Sequence, residues 1–160
     1  MTRALMLFAT DGVLLTADGT ERTPDAAEVL AALRHGGDTV LALVTPEPEA
    51  RARARVTTAG LDRYLDFSVG AYGSDTADPA QLVGLARRRA TETYGPLATL
   101  VVVAGADQTA WARAETDVVV AALHVAEAPG ATLDGLHSAG ADHLVTDLRE
   151  AIALGLAYAG

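Results

Sequence analysis

Residues 7 to 15 read LFATDGVLL. An apolar run closes at Ala9 and breaks into a turn at Asp11–Gly12, so a buried strand delivers one carboxylate to the edge of a sheet. The next residues, TADGT (16–20), carry Asp-Gly, a hairpin signal. A plain strand–helix unit would enter its helix directly. Here a small hairpin is expected over the carboxyl end of the first strand.

Working outward, the same grammar repeats. Strands are predicted at RALMLFA (3–9), TVLALVT (39–45), FSVGAY (67–72), TLVVVAG (99–105), DVVVAALHV (117–125) and DHLVTD (142–147). Most are near-continuous apolar runs, as parallel strands buried on both faces require. Helices are predicted at 23–37, with Thr23 as N-cap, Pro24 at N1 and Gly36 as C-cap, and at 46–60, 78–95, 107–115 and 147–159. Alternation of this kind gives a three-layer, Rossmann-like α/β domain over 1–160: a parallel sheet with helices on both faces.

Bulk composition narrows the function. Half of the residues are apolar but only 4 % are aromatic, so the core is aliphatic. Twelve basic residues against 21 acidic ones give a net charge of −9. Such a chain repels nucleic acid and anionic membranes, and neither is an expected partner. With no cysteine, thiolate chemistry and disulfides are excluded. Asp11 interrupts the first apolar run too early for a signal peptide and no run is long enough to span a bilayer, so a soluble, cytoplasmic protein is expected. No Gly-x-Gly-x-x-Gly or P-loop follows any strand.

ATDGVLL, its hairpin, LALVT (41–45) and VVVAGADQTA (101–110) together resemble the haloacid dehalogenase superfamily, mostly phosphatases. The segment GAYGSDTADPAQLVGLARRRA (70–90) resembles its phosphoglycolate-phosphatase-like branch. The resemblance implies a nucleophilic Asp at the end of strand one and an acid/base Asp two residues later. It also implies a Thr or Ser gripping the phosphoryl oxygen, a third-motif cation, and a Gly-Asp with a second Asp four positions on. In this sequence the positions hold Ala9, Asp11, Thr45, Pro79, and Ala106 with Ala110, while Asp107 sits one residue out of register. Aspartyl-phosphate formation needs an attacking carboxylate, which a methyl group cannot supply. Only the Asp11 carbonyl remains of the Mg²⁺ ligands the resemblance implies, so no cofactor is expected.

The remaining candidates each have a bland counterpart. Asp11 is the candidate acid or base, or else orders its turn with Gly12 through Asx-type bonds. Thr45 is a candidate anion ligand beside a helix N-terminus, or a helix cap. Asp107 is a candidate ligand or an N-cap. His124 closes the fifth strand, where this architecture opens to ligands. Trp111 is a core residue, a ligand contact or an interface residue. RARAR (51–55) and RRR (87–89) read as solvated helix faces, with Arg87, Arg88 or Arg89 as substitutes for the missing third-motif cation.

The stretches from Asp11 to Thr45 and from Thr45 to Pro79 are each filled by strand, helix and turn, leaving no room for a cap domain. An open crevice points to a large partner or a borrowed lid. The leading expectation is a catalytically degenerate accessory subunit, paired with an active haloacid dehalogenase-like paralogue in specialised metabolism or with itself. The alternative is a stand-alone enzyme that uses Asp11, with Thr45 or His124, for hydrolysis or elimination on a small anionic metabolite.

Overall fold

A computed structural model describes residues 3–16, 21–35, 39–115, 118–123 and 133–159. Six strands form one parallel sheet: β1 (Arg3–Phe8), β2 (Thr39–Thr45), β3 (Ala71–Tyr72), β4 (Leu97–Ala104), β5 (Val119–Leu123) and β6 (His143–Val145), in the order 3-2-1-4-5-6. β1 is central, with Phe8 level with Leu43 of β2 and Val102 of β4. Because every pair is parallel, the carboxyl ends of the strands share one edge. The order reverses direction between β1 and β4, where a crevice opens.

The apolar runs do what two-sided burial asks of them. Ala4 to Phe8, Ala42 to Val44 and Leu100 to Val103 are all essentially inaccessible. Among the described residues six α-helices cover the sheet: α1 (Ala26–His35), α2 (Glu49–Thr58), α3 (Leu82–Tyr94), α4 (Gly105–Arg113), α5 (Leu133–Ser138) and α6 (Glu150–Ala159). α1 buries Ala26, Val29, Leu30 and Leu33, an i, i+3, i+4, i+7 stripe. Among the described residues the connections between strands carry helices and turns and no inserted domain. No helix among them is long and apolar enough to cross a membrane.

Some local expectations change. Thr23 does not cap α1: its hydroxyl is buried without a partner. The helix is entered through Asp25, at φ 68°, whose carbonyl accepts from Val29 N at 2.9 Å. β3 shrinks from the six residues 67–72 to two, because Leu65–Gly70 runs beside β2 with Asp66 N donating to Leu41 O at 2.8 Å, outside the ladder. α5 has no counterpart in the sequence reading. The hairpin's stem is visible, with Leu15 bridged to Arg22 and Thr16 N donating to Glu21 O at 2.8 Å. Its tip, Gly36 and His124 lie outside the described residues.

The short β3 is held from behind by one ion pair. Asp75 accepts from Arg89 Nη1 and Nη2 at 3.0 and 2.9 Å, and from Tyr72 N at 3.0 Å. The Arg89 hydrogen bond outweighs burial and holds the Asp75 carboxyl below its usual range. A depressed folded-state pKa stabilises the fold above the unfolded value, about pH 4, and that contribution disappears as pH falls through the folded value. Asp75→Asn should therefore be destabilised at neutral pH yet lose less stability than the parent between pH 6 and pH 3, as read from urea midpoints. An unchanged slope would show that the pair does not report on folding.

Candidate functional site

The turn after β1 is built by its backbone. Thr10 O accepts from Val13 N and Leu15 N at 3.3 and 3.0 Å, and Gly12 N donates to Leu15 O at 2.8 Å. Gly12 adopts φ 82°, and a Cβ there would stand 2.9 Å from Ala104 Cβ. The glycine is needed on both counts, so the turn can lie against the end of β4.

This packing brings β1, β2 and β4 together around a cavity of about 380 Å³. Asp11 and Thr45 both line it, joined by Glu47, Arg51, Gln108 and Trp111. Asp107 does not. It is exposed in the first turn of α4, whose N-cap is Ala104, and it neither caps that helix nor faces the cavity. A carboxylate there still suits the helix dipole.

The Asp11 carboxylate, 45 % exposed, is paired with Arg55: Nη2 donates to Oδ1 at 2.7 Å. Arg55 Nη1 donates to Glu47 Oε1. Burial would lower the Arg55 pKa, but hydrogen bonds and charge from Asp11, and then from Glu47, outweigh it and hold the guanidinium above its ordinary value. RARAR is therefore not a uniformly solvated face: Arg51 and Arg53 are exposed while Arg55 is 18 % exposed. Arg87 pairs with Glu115 and Arg89 with Asp75, so neither supplies a cation to the crevice, and exposed Arg88 is not in its lining. The cation that reaches Asp11 comes from α2.

Thr45 is buried, and its hydroxyl lies 3.2 Å from that of Thr10 and accepts from Glu47 N at 3.2 Å. It does not cap α2, whose N-cap is Pro48, without a side-chain bond. An anion at this strand end needs convergent N–H groups. Of the three residues after Thr45, two are proline and carry none, and the third, Glu47, brings a carboxylate.

Gln108 was not anticipated. From the first turns of α4 its Nε2 donates to Asp11 O at 3.0 Å, and its Oε1 accepts from Ala104 N at 2.8 Å. The Ala104 N–H requires an oxygen, which fixes the amide's orientation. One side chain thus stitches the β1 turn to the end of β4.

The Mg²⁺ that the resemblance implies does not fit these donors. The Asp11 carbonyl carries an amide N–H, its carboxylate carries a guanidinium, and Asp107 faces away. Mg²⁺ wants octahedral oxygen with one or two free carboxylates. Among the described residues no group of three or more His, Asp or Glu could hold a metal together.

No protein-family model matches the chain, and no curated protein is significantly similar to it. Solved structures are. A haloacid dehalogenase-like hydrolase from Streptococcus pneumoniae superposes with a TM-score of 0.67 at 12 % identity, over 95 % of this chain and 98 % of that one. A haloacid dehalogenase-like protein from Agrobacterium tumefaciens gives 0.66 at 16 % identity over 99 % and 100 %. A hydrolase of the same family from Deinococcus radiodurans, solved with phosphate and sodium bound, gives 0.66 at 22 % identity over 88 % of this chain and 61 % of that one. At these identities the likeness concerns architecture alone: the chain has the haloacid dehalogenase-like fold.

Proposed function

We propose that the chain is a catalytically degenerate haloacid dehalogenase-like protein that serves as an accessory subunit, assembled with an active paralogue or with itself. The observation that carries this reading is the Gln108 side chain. It occupies the Asp11 carbonyl, the one inherited metal ligand, with a neutral donor tied to β4. Ala9 at the nucleophile position, Pro79 and Ala106 with Ala110 point the same way. So does the charge balance of the crevice, where Asp11 and Glu47 are balanced by Arg55 and Arg51 in ion pairs, leaving no surplus positive charge for a phosphoryl group. A site that neither attacks, nor holds Mg²⁺, nor attracts its anion is a scaffold. With no cap over the crevice among the described residues, its closure falls to another subunit.

The test has two readouts. Incubation with p-nitrophenyl phosphate and small sugar phosphates in Mg²⁺ should give no turnover above buffer. Sedimentation at micromolar concentration should show an assembly, alone or with a paralogue, and a stable interface should bury at least about 1,000 Å². Turnover abolished by chelator and retained on re-purification overturns the degenerate reading. A clean monomer under both conditions overturns the subunit reading.

A further inference from the structure

A second cavity is larger than the crevice. A hollow of about 1000 Å³ opens at the start of β2, beside Thr39, Val40 and Leu41. Thr39 and Thr45 are six residues apart, which places the two sites at opposite ends of the strand, about 20 Å from each other. The hollow lies where β3 is only two residues long: the first half of β2 is paired with β1 on one side and has no strand on the other.

Its lining reverses the charge of the molecule. Arg34, Arg53, Arg63 and Arg89 converge from α1, α2, the 3₁₀ turn Asp62–Tyr64 and α3, against Glu49 and Asp66. Arg53 is paired with Glu49 and Arg89 with Asp75, so Arg34 and Arg63 against Asp66 leave one positive charge in a chain whose net charge is −9. Asp66 is already spoken for, accepting from Ser68 N and Oγ and from the Tyr94 hydroxyl. Burial would raise its pKa, but these bonds hold it below the usual range. Arg34 and Arg63, by contrast, have no carboxylate partner among the described residues; Arg34 Nη1 donates to the Arg63 backbone O at 2.6 Å, and both side chains line the hollow.

Two of these arginines are laid on rings. Here Arg53 lies 4.7 Å from the centroid of Phe67, fourteen residues on, and Arg63 lies 5.0 Å from that of Tyr64. A stacked guanidinium keeps its in-plane N–H groups free for an anion and offers its outer face to a second ring. Thr39 Oγ1, also in the lining, is buried without a hydrogen-bond partner.

We infer that this hollow is a second site, unrelated to the crevice, and that it binds a planar aromatic anion: a ring system bearing a phosphate or carboxylate. Arg34 and Arg63 take the anionic group and the Arg53–Phe67 stack takes the ring. The volume suits a ligand of metabolite size.

Isothermal titration of the whole protein tests this with AMP and 1-naphthyl phosphate as ring-bearing anions, adenosine as the ring alone, and inorganic phosphate as the anion alone. At least one ring-bearing anion should saturate the protein at or below about 1 mM and bind at least about tenfold tighter than adenosine or phosphate. Arg34→Gln and Arg63→Gln, both at exposed positions, should each weaken it about fivefold or more, and Phe67→Leu about threefold. Gln108→Ala, in the crevice, should leave the affinity unchanged. Thermal melts confirm that each variant is folded. No saturation by either ring-bearing anion overturns the inference, as does equal binding of phosphate or full affinity in the Arg34→Gln/Arg63→Gln double variant. Loss of binding in Gln108→Ala would move the ligand to the crevice and equally overturn it. Of these outcomes only the last, an anion held in the crevice, would also count against the scaffold reading; the others leave it untouched.

Discussion

Gly73→Ala is expected to cost the fold at least about 3 kcal/mol, lowering the melting temperature by about 10 °C. A Cβ on Gly73 would fall 1.9 Å from Pro46 O, 2.7 Å from Pro46 C and 3.2 Å from Glu47 C. These are backbone atoms, so no rotamer change relieves the clash. The backbone concerned is also among the stiffest in the chain, since Pro46 and Pro48 fix φ on either side of Glu47. Gly73 N donates to Glu47 O at 2.7 Å, so the methyl group would break the contact that seats β3 against the loop after β2. Displacing Glu47 also loosens its bond to Arg55, and with it the partner of Asp11. Gly95→Ala is the control. Nothing lies within 4 Å of its Cβ, so its φ of 87° and ψ of −172°, a region kept almost wholly for glycine, give the cost of backbone strain without a clash, about 1–3 kcal/mol. Urea denaturation of the three proteins decides the matter. Equal losses at the two glycines would mean that the loop yields and that the crevice is not rigidly held.

The sequence was most legible where one rule governed many residues. β1, β2 and β4 came out within two residues at each end because two-sided burial leaves an unbroken apolar run. Asp11 and Thr45 fell in one cavity because parallel strands end at a common edge. What stayed hidden depended on single long-range contacts. β3 lost its first four residues to a hydrogen bond between Asp66 and Leu41 that no periodicity encodes. Arg55 was obscured by its neighbours in RARAR. α2 buries only Ala52 and Val56, and Arg55, three positions after one and adjacent to the other, flanks that stripe. Reading the stripe would have separated it from Arg51 and Arg53. Gln108 left a fainter signal, a single amide in the first turns of the helix after β4, where the resemblance implies acids. The resemblance drew attention to the carboxylates that were missing, and the amide that had arrived was overlooked.

Gln108→Glu should be the most informative change in the crevice. It is expected to destabilise the protein by about 2 kcal/mol and to make its stability respond to Mg²⁺, to which the parent should be indifferent. The substituted carboxylate keeps the acceptor that Ala104 N requires at 2.8 Å. On its other side it turns a donor into an acceptor, 3.0 Å from the Asp11 carbonyl. Two oxygens then face one another with no proton between them, and in a half-buried site neither is fully repaid by water. A hard divalent cation is what such a pair attracts, and the Asp11 carboxylate stands beside it. Arg55, 2.7 Å from that carboxylate, opposes the ion and keeps affinity weak. A cation at ten times its dissociation constant returns about 1.4 kcal/mol, so at 10 mM Mg²⁺ a large part of the loss should be recovered. Gln108→Met separates the two effects: it also strips the donor from the Asp11 carbonyl but adds no ligand, so it should be destabilised without responding to Mg²⁺. Thermal melts of the parent and both variants, with and without Mg²⁺, give the answer. If Mg²⁺ stabilises the parent as much as Gln108→Glu, the Asp11 carbonyl is open to metal despite the amide, and the degenerate reading loses the observation it rests on. If neither variant is destabilised, the stitch between β1 and β4 contributes nothing, and the site is held by Arg55 and the backbone bonds of the β1 turn.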